Sequence, residues 1–212
     1  RSAKGLYHKA IVQSGALLTP GQTLEEAEKR GAEAVASLGL PGDVTAAQLR
    51  GVSAQTFVAG EKTRRGVTSP IDKRFRTIAT VDALNAGTEI DVPVMVGANS
   101  GEPGFDNART VAKLAGDSGA GAWLYHFDYV PGFRKREWQN GAIHSAELMF
   151  TFDSIATSGW AASRAGKANA ADAAVAKLVN SCWIAFYKMS PRAKSLTCAN
   201  GVTWPAFTEA GD

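Results

Sequence analysis

Two side chains set the chemical question posed by this chain, His144 and Glu102, together with a nucleophile that does not accompany them. The stretch Gly141-Ala142-Ile143-His144-Ser145-Ala146-Glu147-Leu148 puts an imidazole in a polar, glycine-bearing loop after the strand-like run Trp123 to Tyr129. Loops at strand ends carry catalytic groups disproportionately, because the sheet holds them still while leaving them accessible. The other two histidines read differently: His8, beside Lys9, as a surface residue, and His126, between Tyr125 and Phe127, as a packed or edge residue of a strand. An imidazole base needs a carboxylate that fixes its tautomer and stabilises the imidazolium. Glu102 lies five residues past Gly97, where a buried strand is expected to end. Asp106 is further from that strand end and Asp128 falls within a strand, so both rank lower. A serine elbow reads G-x-S-x-G; the nearest look-alike, Val12-Gln13-Ser14-Gly15-Ala16, lacks the first glycine and does not run straight into a helix. There is no HExxH, no metal-ligand spacing among three scattered histidines and no glycine-rich phosphate loop, so no cofactor or metal is expected.

The elements that must position these groups alternate. A short strand is expected at Ala10 to Gln13, following what reads as the tail of an amphipathic helix, Arg1 to Lys9. Thr23-Leu24-Glu25-Glu26 is a capping box opening a helix that Gly39 and Pro41 close. A second helix is expected from Asp43 as N-cap through Leu49, a loop from Gly60 to Pro70 and a helical turn at Val81 to Ala86. Asp91 to Gly97 reads as a buried strand, with Pro93 near its start and glycine at its end. A short helix at Asn107 to Leu114, the strand Trp123 to Tyr129 and a long helix, Ala170 to Lys188, follow. Strands alternating with helices imply an α/β fold with a mostly parallel sheet. Tyr7, Phe57, Phe105, Met149 and Phe150 read as core rather than pocket lining.

Bulk properties narrow the function classes. With 212 residues, 45% hydrophobic and 20% charged, the chain has ordinary globular composition and length for one sizeable domain or a large piece of a bigger one. Its net charge of +3 is no electrostatic footprint for nucleic acid or anionic lipid. No apolar run approaches the roughly 20 residues that span a bilayer. The two cysteines, Cys182 and Cys198, lack zinc-site spacing. Cys182 reads as a buried helical residue, and a disulfide with Cys198, which would suit a secreted or periplasmic protein, stays open at this level.

Four patches, in order across nearly the whole chain, resemble the type-B carboxylesterases, the α/β-hydrolases that include cholinesterases and bacterial carboxylesterases. Ala3 to Gly15, reading AKGLYHKAIVQSG, is similar to the helix and strand that follow the nucleophile elbow. Val92-Pro93-Val94-Met95-Val96-Gly97-Ala98-Asn99 with Glu102 is similar to the strand leading to the triad acid. The segment from Gly141 to Leu148 resembles the histidine loop, and Cys182 to Phe186 with Trp204-Pro205-Ala206-Phe207 resembles the closing helix and segment. The resemblance implies that residues 1–212 form the C-terminal portion of a single α/β-hydrolase domain, its mostly parallel sheet flanked by helices. It implies Glu102 as acid, His144 as general base and acid, and Ser14 as a supporting hydroxyl on the acid; Glu147 matches a carboxylate of structural role. The activity implied is hydrolysis of a small-molecule carboxylic ester through an acyl-enzyme, the serine being supplied by an upstream part of the same protein. The competing class is an inactive hydrolase-fold binding or adhesion module. Two departures stand out. Gly101-Glu102-Pro103 replaces the family's Asp-Glu-Gly, implying a different path for the acid's loop, and the short interval from Glu102 to Trp123 implies a missing segment near Asp106-Asn107.

Overall fold

A computed structural model describes residues 3–16, 18, 21–60, 69–89, 91–163 and 166–209. The chain divides into two compact units, residues 1–17 with 84–212, and residues 18–83. The first carries a parallel three-stranded sheet in the order β1 (Ala10–Gln13), β2 (Val94–Asn99), β3 (Ala122–Phe127). Ala10 pairs with Val94, and Val94 with Ala122, so the three strands start level and run toward the same rim, β1 stopping two residues short of β2 and β3.

Both faces of the sheet are covered, which is why β2 reads as an unbroken apolar run rather than an alternating one. Val96 and Ala122 face one side, where Ala108, Ala112 and Ala115 of a helix pack on them. Alanines at this helical spacing let the helix lie close to the sheet. Met95, Trp123, Tyr125 and Phe127 face the other side, against Phe150, Trp183 and Phe186. There the rings meet edge-on, Trp123 with Phe186 at 5.5 Å and Tyr125 with Trp183 at 5.1 Å, the geometry that aromatic quadrupoles favour. Of the residues expected in the core, Met149 and Phe150 are buried, Phe57 and Phe105 are half-buried, and Tyr7 is exposed.

The unit of residues 18–83 holds α1 (Leu24–Ser37), α2 (Ala46–Gly51) and α3 (Ala54–Ala59). Thr23 caps α1 in the reciprocal box with Glu26 that the sequence predicts. Helix α2 differs from expectation: Thr45, not Asp43, is its cap, because Gln48 returns a hydrogen bond to the Thr45 backbone and closes a second box. Next come α4 (Thr80–Asn85), α5 (Phe105–Asp117), which packs on β2 and β3 and includes positions 106 and 107 in its first turn, and α6 (Leu148–Thr151). Helix α7 (Ala170–Lys188) has the predicted bounds, set by an Asn169 cap paired with Asp172. Two short antiparallel pairs complete the chain, β4 (Ala162–Ser163) with β5 (Gly166–Lys167) and β6 (Ser195–Thr197) with β7 (Thr203–Pro205).

The expected helix before Lys9 is not formed: residues 3–8 are turns and bends, with Gly5 at φ 84°. Positions 61–68 of the loop expected over Gly60 to Pro70 lie outside the described residues. Cys182 is not a lone thiol. It is bonded to Cys198, with Cα atoms 4.6 Å apart, tying α7 to the segment that follows β6.

Candidate functional site

Parallel strands deliver their following loops to one rim, and in open α/β sheets that rim is where ligands bind. Ser14 follows β1, Glu102 follows β2 by three residues, and His144 lies in the long loop after β3. The structure brings these three together. Nδ1 of His144 lies 2.5 Å from Oε2 of Glu102. The hydroxyl of Ser14 donates to Oε1 of the same carboxylate, and the backbone N–H of Asn99 donates to Oε1 at 2.9 Å.

Each position has a local cause. Strand β2 runs two residues beyond Gly97, so the chain from Asn99 to Glu102 is a tight turn closed by a Glu102 N–H to Asn99 carbonyl bond of 3.3 Å. Ser14 sits at φ 55° and Ser145, next to the histidine, at φ 66°, a region small polar residues tolerate better than branched ones. The histidine loop is anchored at its start by buried Phe133 and Trp138. It is then sewn to the acid's turn: Gly101 N–H donates to the Ala142 carbonyl at 2.9 Å, and Ala142 N–H to the Ser100 hydroxyl at 3.0 Å.

This stitching leaves no room for a side chain at position 101. A Cβ on Gly101 would stand 2.8 Å from the Ala142 carbonyl oxygen and 2.9 Å from that of Gly141. Real Cβ contacts are longer, so glycine at 101 lets the two loops close on each other backbone to backbone. Beneath them, Glu147 is 2% exposed, accepting from the Gln13 side chain at 3.0 Å and from the Asn99 side chain at 2.5 Å.

The electrostatics follow from these contacts. Burial pushes the Glu102 carboxyl upward, but the Ser14 hydroxyl, the Asn99 amide and His144 together outweigh it and hold it below its ordinary 4.5. Glu102 is therefore an anion at neutral pH, and an anion can only accept, so the His144 proton resides on Nδ1. In the neutral ring that tautomer puts the lone pair on Nε2, on a side chain 69% exposed. Burial first, then the charges of Glu147 and Glu102, raise the Tyr125 phenol well above its usual range, so it stays neutral.

The remaining sequence candidates lie elsewhere. Asp106 and Asp128 are exposed. His8 is exposed, as expected, and His126 sits on the outer part of β3 with its ring stacked on Phe105 at 4.2 Å. Among the described residues no cluster of histidine, cysteine, aspartate or glutamate could hold a metal ion, and no helix is long and apolar enough to cross a membrane. Sequence reasoning assigned no role to Gln13, Asn99 or Ser100. The available signal was a polar residue, Asn99, ending an otherwise apolar buried strand, where it needs a partner.

Comparison with solved structures places this architecture. Two structures of the carboxylesterase EST55 from Geobacillus stearothermophilus, at pH 6.8 and pH 6.2, superpose with TM-scores of 0.69 and 0.68. The fold is that of a carboxylesterase α/β-hydrolase. Identity to each is 18%, over 99% and 98% of this chain but only 53% and 54% of theirs, so the chain spans about half their length. The sequence matches no protein-family model and no curated protein.

Proposed function

We propose that this chain supplies the acid and the base of a type-B carboxylesterase-like serine hydrolase, with Glu102 and His144 as two members of a Ser–Glu–His triad. The observation that carries the proposal is the 2.5 Å contact between His144 Nδ1 and Glu102 Oε2, with the opposite edge of the ring accessible. In that arrangement Nε2 takes the proton of a serine hydroxyl as the serine oxygen attacks the ester carbonyl, and Glu102 stabilises the imidazolium. The same nitrogen then protonates the leaving alkoxide, and later activates the water that releases the acyl group. Ser14 does not serve as nucleophile, because its hydroxyl donates to the acid rather than to the base. The nucleophile belongs to an upstream part of the protein. A binding module has no use for an oriented acid–base pair, which favours the enzyme over the inactive alternative.

The test is hydrolysis of a p-nitrophenyl ester by the intact protein. His144→Ala lowers kcat by roughly 10⁶-fold and Glu102→Gln by roughly 10⁴-fold. A fluorophosphonate labels a serine upstream of residue 1. Labelling of a serine within residues 1–212, or an intact protein indifferent to both substitutions, would refute the proposal.

A further inference from the structure

Between the acid and the histidine loop stands Asn99, the last residue of β2 and fully buried. Its backbone N–H reaches Glu102 Oε1 at 2.9 Å. Its side-chain Nδ2 reaches the carbonyl of Ile143, the residue before His144, at 2.8 Å, and Glu147 Oε2 at 2.5 Å. We propose that Asn99 is a positioning residue, which sets the separation of Glu102 and His144 by holding the acid with its main chain and the histidine loop with its side chain.

The amide's orientation is fixed by its surroundings. Both partners of Nδ2 are acceptors, so turning the group over would aim its oxygen at two other oxygens. Glu147 is in turn held by Gln13 of β1, so the histidine loop is fastened to two adjacent strands, and Asn99 is common to both the acid's and the base's attachments. The Ile143 carbonyl also accepts from Ala146 N–H at 3.0 Å. Two donors on one carbonyl, immediately before His144, restrict the peptide that aims the ring. Asn99 Oδ1 is buried without a donor among the described residues. A fork of two N–H donors next to a main-chain N–H is what this task needs.

The inference rests on His144 being the base, and the experiment separates the two. The intact protein, ¹⁵N-labelled at histidine, is read by long-range ¹H–¹⁵N correlation with the ring neutral, His144 being assigned from its loss in His144→Gln. The wild type shows the Nδ1–H tautomer. Asn99→Ala loses it in favour of the Nε2–H form that free histidine prefers, while Glu147→Gln, which leaves the Ile143 contact in place, retains it. Urea unfolding verifies that each variant is folded. If Asn99→Ala is not, Asn99→Ser gives the same reading, since its short hydroxyl cannot span to Ile143. Persistence of the Nδ1–H tautomer in a folded Asn99 variant overturns the positioning role and leaves the acid–base assignment standing. A wild type lacking that tautomer overturns both.

Discussion

Replacing Ser14 by alanine removes one donor from the Glu102 carboxylate and leaves the Asn99 N–H and the His144 ring in place. A hydrogen bond to a charged acceptor contributes about 1.5–3 kcal/mol. Glu102 is mostly covered, but its partner His144 brings water to one side, so the lower figure, about 1.5 kcal/mol, applies. Losing that donor moves the acid's pKa upward, back toward the ordinary carboxylate value. The sign follows from the direction of the shift. Glu102 is held below 4.5, and a carboxylate depressed by folding adds stability above its unfolded value and loses it as pH falls through its folded value. The variant is therefore less stable than wild type at neutral pH, and the two converge in acid once Glu102 is protonated in both. Any strain from the φ of 55° at this position is shared by serine and alanine and cancels from the comparison. Urea denaturation at neutral pH and in acid, with m-values checked for constancy, measures the difference. An equal deficit at both pH values would refute the reasoning, because it would place the effect in packing rather than in the hydroxyl's bond to an anion.

Gly101→Ala forces the acid and histidine loops apart, costing about 1–3 kcal/mol of unfolding free energy, and a structure of the variant shows the His144–Glu102 separation lengthened from 2.5 Å. Gly97→Ala is worse, since its Cβ would stand 2.2 Å from the Tyr125 carbonyl across the β2–β3 ladder; thermal unfolding shows a loss of about 3 kcal/mol, the top of the overpacking range. Cys182→Ser with Cys198→Ser opens a link of sequence separation 16 and lowers stability by about 3 kcal/mol in denaturant, while the His144 tautomer, read by ¹⁵N shifts, is unchanged.

The parts of this fold legible in the sequence are those with local causes. Helix α7 announces itself by its cap and its spacing, and β2 by an apolar run, because burial on both faces leaves no alternation to misread. Glu102 and His144 were visible as polar groups placed after strands. What stayed hidden depends on partners distant in the chain. Asn99 and Glu147 are 48 residues apart, and nothing near Glu147 distinguishes a buried acceptor from an ordinary helix-start carboxylate. Gly101 looked like an irregularity until the loop it touches, near Ala142, could be seen. The expected helix before Lys9 failed for the converse reason: a run with suitable spacing leaves Leu6 78% exposed and so gains no burial to offset the cost of nucleation.

The order of the strands bears on how the chain assembles. Strand β2 meets β3 across the single helix α5, whereas β1 meets β2 only after the intervening 18–83 unit has been looped out. That loop is roughly three times longer, which adds about 1 kcal/mol of closure entropy to the later pairing. On closure entropy the β2–α5–β3 crossover is the favoured nucleus, carrying Asn99 at the end of β2 and Glu102 in the turn after it, and β1 is a late arrival. Glu102 would meet His144 before the Ser14 hydroxyl reaches it, so the donor that arrives with β1 stabilises a carboxylate already oriented by its other partners.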